Sequence, residues 1–220
     1  MVLDFQALRR TRMHSWPYAW ATVENFIRPA QALQLSREFP DTGFSLTRRD
    51  RGTDKMYVVA SRTVVALGAG RCDGAPLSNL WEHLVLALMS AEYREVLTDV
   101  TGIDIRGDLM EIGLYRYAAG GFVSPHCDKR GKSIGQILYF NTNWRPEWGG
   151  AFRILSGPSE DVVCQEIWPT TGSSLILTRS ETSWHCVSAV TGPEERLAVH
   201  VDFWHTHPGY AEGREQIGLT

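Results

Sequence analysis

The chain has 220 residues, of which 43% are hydrophobic, enough to enclose a substantial core and most simply one globular domain. Its formal net charge of −3 and its pI near 6.2 argue against a protein whose main role is to bind phosphate backbones, so no nucleic-acid partner is expected. The amino-terminal segment lacks the pattern of a secretory signal, and no apolar run approaches the roughly 18 residues that span a bilayer. These features predict a cytoplasmic protein with no membrane partner.

The first part of the chain mixes strand and helix patterns. Residues 18–27 combine aromatic and β-branched side chains and predict a strand, and Pro29 begins a predicted helix that ends before Pro40. Residues 41–55 are polar, contain two glycines and carry three closely spaced arginines, which predicts a surface loop. A lid over a site is the alternative, because such lids share this composition. Residues 56–65 predict a short strand.

Residues 76–99 have the strongest helical pattern in the chain. An apolar stripe recurs at helical spacing along one face, formed by Leu77, Leu80, Trp81, Leu84 and Leu88. A second helix is predicted from Ala91 to Val100, with Gly102 as its C-cap. With the earlier helix, these elements predict a helical support region over about residues 1–107.

From Asp108 onward, short apolar or alternating runs separated by turns predict a series of strands. These are residues 109–117, 123–128, 135–141, 151–155, 162–168, 173–178, 185–190 and 196–204. Strands at this spacing are typical of a β-sandwich or a jelly-roll barrel, with the preceding helices covering one face. We therefore predict a mostly β fold with N-terminal helices, in which a single domain spans residues 1–220 and the β core spans about 108–205.

The triplet His126-Cys127-Asp128 ends the second of these strands. Because successive side chains of a strand point to opposite faces, His126 and Asp128 project together. His185 lies far enough along the chain to return beside them from a later strand. Two histidines and one carboxylate on one face of a metal leave other positions open, as in non-haem Fe(II) oxygenases. Structural histidines satisfied within the sheet are the alternative.

The last predicted strand carries charged residues on one face. Alternation places Arg196, Ala198, His200 and Asp202 together, and a charge inside a small barrel is costly unless it is paired. The planar fork of an arginine suits a carboxylate, so an acid-bearing co-substrate could be the partner of Arg196. His200 and Asp202 could line the same pocket or bond to each other.

Six segments, in this order, resemble those of the Fe(II)/2-oxoglutarate-dependent oxygenases, in particular the prolyl 4-hydroxylase-like branch: YRYAAGGFVSPHCD, QILYFNTNW, GGAFRI, GSSLIL, SWHCVSAV and ERLAVHVDFW. The resemblance covers roughly residues 109–204. It implies a double-stranded β-helix (jelly-roll) core flanked by helices. It also implies an enzyme that uses Fe(II), 2-oxoglutarate and O2, with ascorbate as an optional reductant.

The resemblance implies roles for individual residues. His126, Asp128 and His185 would bind iron and carry the catalysis. Four residues would contact 2-oxoglutarate, with the first of them pairing with its distal carboxylate: Arg196, Tyr139, Tyr117 and His200. The carboxylate of Asp128 favours hydroxylation, because related halogenases have a small residue at that position.

One departure from the family pattern bears on the substrate. Asp202 stands where protein-prolyl hydroxylases often have a bulky aromatic residue and where the nucleic-acid demethylases have a second arginine. We therefore predict hydroxylation of an unactivated C–H bond in a small molecule, an amino acid or amino-acid-derived metabolite, free or bound to a carrier protein. Asp202 and Arg116 are the candidate substrate-binding residues. The alternatives are a prolyl-type protein hydroxylase and a non-catalytic cupin-like binding protein, and the sequence specifies no oligomeric state.

Overall fold

The computed structural model describes residues 2–51 and 54–205. Within these residues the chain forms four α-helices and twelve β-strands. The helices are α1 (Phe5–Arg9), α2 (Pro29–Arg37), α3 (Asn79–Leu88) and α4 (Ala91–Thr101). The strands are β1 (Trp20–Val23), β2 (Ser45–Arg49), β3 (Tyr57–Ala66), β4 (Gly70–Arg71), β5 (Leu109–Tyr117), β6 (Phe122–His126), β7 (Lys132–Tyr139), β8 (Phe152–Leu155), β9 (Val163–Ile167), β10 (Ser174–Thr178), β11 (His185–Val187) and β12 (Arg196–Trp204).

The described strands join in one curled antiparallel sheet. Its order is β1-β10-β7-β12-β5-β3-β6-β11-β8-β9, and β2 and β4 both pair with β3. Most neighbouring strands in this order are distant in sequence, which is the strand arrangement of a jelly roll. The predicted mostly β fold with a jelly-roll core is therefore confirmed.

Two hydrophobic cores lie on the two faces of this sheet. The larger core joins the helices to the outer face and includes the fully buried Trp81 and Tyr93. The smaller core lies inside the curled sheet. Strand alternation divides the residues between them, since Leu138 of β7 belongs to the outer core while Ile137 and Tyr139 belong to the inner one. The inner face is where a site enclosed by the sheet can form.

The helices follow from local sequence signals. The helical region predicted over residues 76–99 is divided into α3 and α4, and the Ser90 hydroxyl caps α4 by accepting a hydrogen bond from the Tyr93 backbone N–H. Gly102 has φ +71° and ends α4, as predicted. The short helix α1 was not predicted. None of the helices in the described part of the chain is long and apolar enough to cross a membrane.

The segment predicted as a surface loop, residues 41–55, contains a strand. β2 pairs with β3, but four of its five residues are exposed, so its sequence SLTRR shows no apolar alternation. Backbone hydrogen bonding to β3 forms this strand without burial of its own side chains. Two residues of the segment, 52 and 53, lie outside the described residues, and the lid alternative remains a prediction.

Candidate metal and co-substrate site

Two histidines face each other inside the sheet. His126 ends β6, His185 begins β11, and the two are direct cross-strand partners with ring centroids 4.2 Å apart. The Nδ1 atom of His126 lies 3.0 Å from the Ser124 carbonyl oxygen, and that of His185 lies 2.8 Å from the Ser183 carbonyl oxygen. Because a carbonyl oxygen can only accept, each Nδ1 carries the proton and each Nε2 keeps its lone pair. Burial lowers the pKa of both imidazoles, which keeps them in the neutral form that binds metals.

Asp128 completes a cluster with the two histidines. It lies just past the end of β6, and ligand atoms of His126, Asp128 and His185 all lie within 4.8 Å of one another. Burial alone would raise the pKa of Asp128, but the Lys132 ammonium holds it well below its ordinary value. The cluster therefore offers one carboxylate and two neutral imidazoles, a ligand set that suits a non-haem iron.

Arg196 lies deeper on the inner face, at the start of β12. It is fully buried, its guanidinium carbon lies 4.8 Å from the Tyr117 ring centroid and 5.2 Å from that of Tyr139, and its Nε donates to the Gly150 carbonyl oxygen at 2.9 Å. Its Nη1 and Nη2 atoms and the Tyr139 hydroxyl are buried without a hydrogen-bond partner. Such groups are costly to bury unsatisfied. A carboxylate between them would satisfy both residues, so this pocket fits the distal end of 2-oxoglutarate.

His200 lies on the same face of β12 as Arg196, four residues further along the strand. Its ring stacks on that of Tyr115 with 4.1 Å between centroids, and its Nε2 atom is buried without a partner. Gly113 makes room for this stack, because a Cβ at that position would lie 2.8 Å from the Tyr115 ring. Burial, and next the Arg196 charge, lower the pKa of His200 well below its ordinary value, so this imidazole is neutral.

Asp202 bonds to a lysine that sequence reasoning missed. The Lys132 Nζ atom lies 2.8 Å from the Asp202 Oδ1 atom and 3.1 Å from the Asp128 Oδ2 atom. The alternative in which Asp202 and His200 bond to each other is wrong, because Asp202 pairs with Lys132 and His200 keeps an unpartnered Nε2 atom. A search for the basic partner that an interior aspartate requires could have pointed to this lysine.

Two further charged residues lie near the cluster. The Lys55 Nζ atom is 3.3 Å from the His126 Nε2 atom, and burial lowers the pKa of this lysine. Glu111 on β5 is the cross-strand partner of Asp202. Burial, and next the Asp202 charge, raise the pKa of Glu111 to about 7. We call Lys55, Glu111, Lys132 and Asp202 the charged wall.

Arg116 does not join this site. It lies on the outer face of β5, opposite in direction to Tyr117, where it pairs with Glu195 and its guanidinium stacks over the Phe44 ring at 5.4 Å. There it lines an open groove of about 520 Å³ together with Trp148 and other residues. Its predicted substrate contact is therefore not supported by its position. Of the remaining histidines near the carboxyl end, His205 lies 3.4 Å from the Asp108 carboxylate, and His207 is outside the described residues.

Comparison with known proteins identifies a family model that covers the candidate site. The family model for the 2OG-Fe(II) oxygenase superfamily matches residues 112–205, a range that contains the histidine–aspartate cluster and the Arg196 pocket. No curated protein sequence matches the chain. Over this range the chain is similar to the 2OG-Fe(II) oxygenase superfamily, and the solved structures that it resembles include prolyl 4-hydroxylases.

Three solved structures illustrate the shared fold. A prolyl-4-hydroxylase from Pseudomonas putida is 18% identical, with a TM-score of 0.60 over 84% of this chain and 92% of that one. A prolyl hydroxylase from Trichoplax adhaerens, in complex with a peptide fragment of a hypoxia inducible factor oxygen degradation domain, is 15% identical, with a TM-score of 0.63 over 91% and 87%. A viral collagen prolyl hydroxylase from Paramecium Bursaria Chlorella virus-1, in a 2OG complex, is 12% identical, with a TM-score of 0.52 over 86% and 96%.

The fold, the family match and the metal-ligand set of His126, Asp128 and His185 all indicate the same class of enzyme. The chain is a 2-oxoglutarate-dependent dioxygenase, and its cofactor and co-substrates are Fe(II), 2-oxoglutarate and O2. The family match and the donor set therefore do not support the alternative of a non-catalytic binding protein.

Proposed function

We propose that the chain hydroxylates an unactivated C–H bond of a small, charged molecule, an amino acid or an amino-acid-derived metabolite, free or carrier-bound. His126, Asp128 and His185 would hold the iron, and Arg196 would receive the distal carboxylate of 2-oxoglutarate. The observation that carries the choice of substrate is the charged wall beside the metal cluster. We also propose that residues 1–220 form a single domain that serves this one site.

The bound iron and 2-oxoglutarate would supply the oxidising power, with O2 consumed, succinate and carbon dioxide released, and one oxygen atom inserted into the substrate. The protein's residues have simpler tasks. The two Nε2 lone pairs and the Asp128 carboxylate would hold the metal. The Arg196 guanidinium and the Tyr139 hydroxyl would orient the co-substrate by hydrogen bonds, the Tyr117 ring would shield the ion pair from water, and the unpartnered Nε2 of His200 would offer the co-substrate a further polar contact.

The charged wall suits polar substrate ends better than an apolar ring. Asp202 and Lys132 neutralise each other, whereas Glu111 has no ion-pair or hydrogen-bond partner among the described residues. Lys55 contacts the very nitrogen that would bind iron, so a metal ion there would displace its ammonium. Lys55 would then be available for a substrate carboxylate and Glu111 for a substrate amine. Together the two match the opposite charges of an amino acid.

A second candidate is hydroxylation of a residue in a peptide or protein. It is favoured by the similarity to prolyl hydroxylases, one of which was solved with a peptide fragment. A proline side chain, however, brings no charge to satisfy Glu111.

The test compares the two substrate classes on one enzyme preparation. Succinate release and a product heavier by one oxygen atom are measured with Fe(II), 2-oxoglutarate and either a panel of free amino acids or a panel of proline-containing peptides. We expect turnover of an amino acid, and a raised KM for it in Lys55→Met and Glu111→Gln but not in the exposed control Glu92→Gln. Turnover of peptides alone would contradict the small-molecule proposal and leave the oxygenase intact.

A further inference from the structure

We propose that Lys132 is a positioning residue for Asp128 and that Asp202 holds Lys132 in place. This inference rests on the proposed metal role of Asp128. The contacts form a chain, in which the Asp202 Oδ1 atom is 2.8 Å from the Lys132 Nζ atom and that ammonium is 3.1 Å from the Asp128 Oδ2 atom. All three side chains are largely buried, with 10 to 14% of each side chain exposed.

A bulge in the sheet turns Lys132 inward. Along β7 the inner face carries Gly135, Ile137 and Tyr139, so regular alternation would place Lys132 on the outer face. The register between β7 and β12 shifts at Trp204, which pairs with Lys132 instead of Ser133. Bulges of this kind redirect single side chains next to active sites. Here the redirected side chain is the one that reaches Asp128.

A glycine provides the space for the bridge. A Cβ at Gly135 would lie 3.0 Å from the Asp202 Oδ1 atom and 3.1 Å from both Cε and Nζ of Lys132. These distances are tighter than ordinary contacts, so any other residue at position 135 would push against the ion pair. The bulge and the missing side chain therefore both serve the same contact.

The bridge has a clear physical use. The terminal torsion of an aspartate is broad, and Asp128 lies past the end of its strand, so its carboxylate needs an external contact to fix its rotation. A carboxylate has about four lone-pair positions, so the bond from Lys132 leaves others for a metal. A lysine alone would repel a divalent cation, but Asp202 cancels its charge. Lys132 can thus orient Asp128 without changing the net charge of the site.

The test removes the bridge without changing the net charge. The double variant Lys132→Met/Asp202→Asn loses one positive and one negative charge, as does the control Arg106→Met/Asp104→Asn, which removes an exposed ion pair away from the site. Affinity for Mn(II) alone is measured by calorimetry, and the absorption spectrum of bound Co(II) reports the geometry of its ligands. We expect about tenfold weaker Mn(II) binding and an altered Co(II) spectrum in the first variant only.

A second variant tests the same idea with both charges kept. Gly135→Ala displaces Lys132 from Asp202, and we expect it to weaken Mn(II) binding as well, which keeps the test usable if the double variant folds poorly. Mn(II) affinity in both variants equal to that of the control would overturn the role of Lys132 while leaving the metal site standing. If His185→Ala binds Mn(II) as tightly as the wild type, the metal site itself is wrong, and the inference fails with it.

Discussion

His126 and His185 are direct cross-strand partners on β6 and β11, so backbone hydrogen bonding between two strands sets the spacing of both imidazoles. Sites built on strands hold their geometry more precisely than sites built on loops. Asp128, the third member of the cluster, lies just beyond its strand and depends on side-chain contacts for its orientation. The metal cluster therefore has two members positioned by the sheet and one positioned by neighbouring side chains.

The buried, half-satisfied guanidinium of Arg196 predicts a selective effect on 2-oxoglutarate. In Arg196→Met we expect the apparent requirement for 2-oxoglutarate to rise on the order of 10- to 100-fold, because hydrogen bonds to a charged group are lost. The Fe(II) requirement should change little, since the metal ligands are elsewhere. Succinate formation as a function of each component measures both, and Tyr139→Phe, which removes only a hydroxyl, should give a smaller rise. Equal changes in the two requirements would count against the assigned role.

Gly149 supports the loop that supplies the backbone partner of Arg196. It has φ +65°, and a Cβ there would clash with the Ala189 carbonyl oxygen, a backbone atom that cannot move aside cheaply. We expect Gly149→Ala to lower the free energy of unfolding by about 3 kcal/mol or more. Gly102→Ala is the matched control, with φ +71° and open space around the Cβ, and should cost about 1 kcal/mol. Chemical denaturation would show the difference, and equal losses would contradict the steric account.

Glu111 predicts a pH dependence of stability with a definite sign. Its pKa is raised from 4.5 to about 7, so between these values the folded chain holds a proton that the unfolded chain has released. The free energy of unfolding contributed by this group is therefore highest below its unfolded pKa and falls as the pH rises through the folded one. Glu111→Gln should gain up to about 3 kcal/mol relative to the wild type as the pH rises across that range.

Urea unfolding of the wild type and Glu111→Gln at about pH 5 and about pH 8 measures this effect. The exposed control Glu92→Gln should differ from the wild type by the same amount at both values. A Glu111→Gln difference that does not change with pH would show that burial of Glu111 has no such consequence.

The sequence predicted well wherever a single strand determines the outcome. β12 was predicted with its observed bounds, and its inner face carries Arg196, His200 and Asp202 as alternation requires. Alternation also contained a signal that was not used for Arg116, since a neighbour of Tyr117 on the same strand must face the other way.

Residues that depend on strand pairing escaped prediction for physical reasons. Lys132 reaches Asp128 only because a bulge reverses its direction, and a bulge depends on the register between β7 and β12. Lys55 approaches His126 from the segment just before β3, which is distant from His126 in sequence. β2 has no hydrophobic pattern because its side chains are exposed. Each of these features is set by a partner strand and not by local sequence.

The most direct test of the proposed site is the visible absorption of the anaerobic protein with Fe(II) and 2-oxoglutarate. A bidentate 2-oxoglutarate on an iron with two histidines and one carboxylate should give a weak charge-transfer band. We expect this band in the wild type, its loss in His185→Ala, and its appearance only at higher 2-oxoglutarate concentration in Arg196→Met. A wild-type protein without the band at saturating Fe(II) and 2-oxoglutarate, or an unchanged band in His185→Ala, would contradict the proposed site.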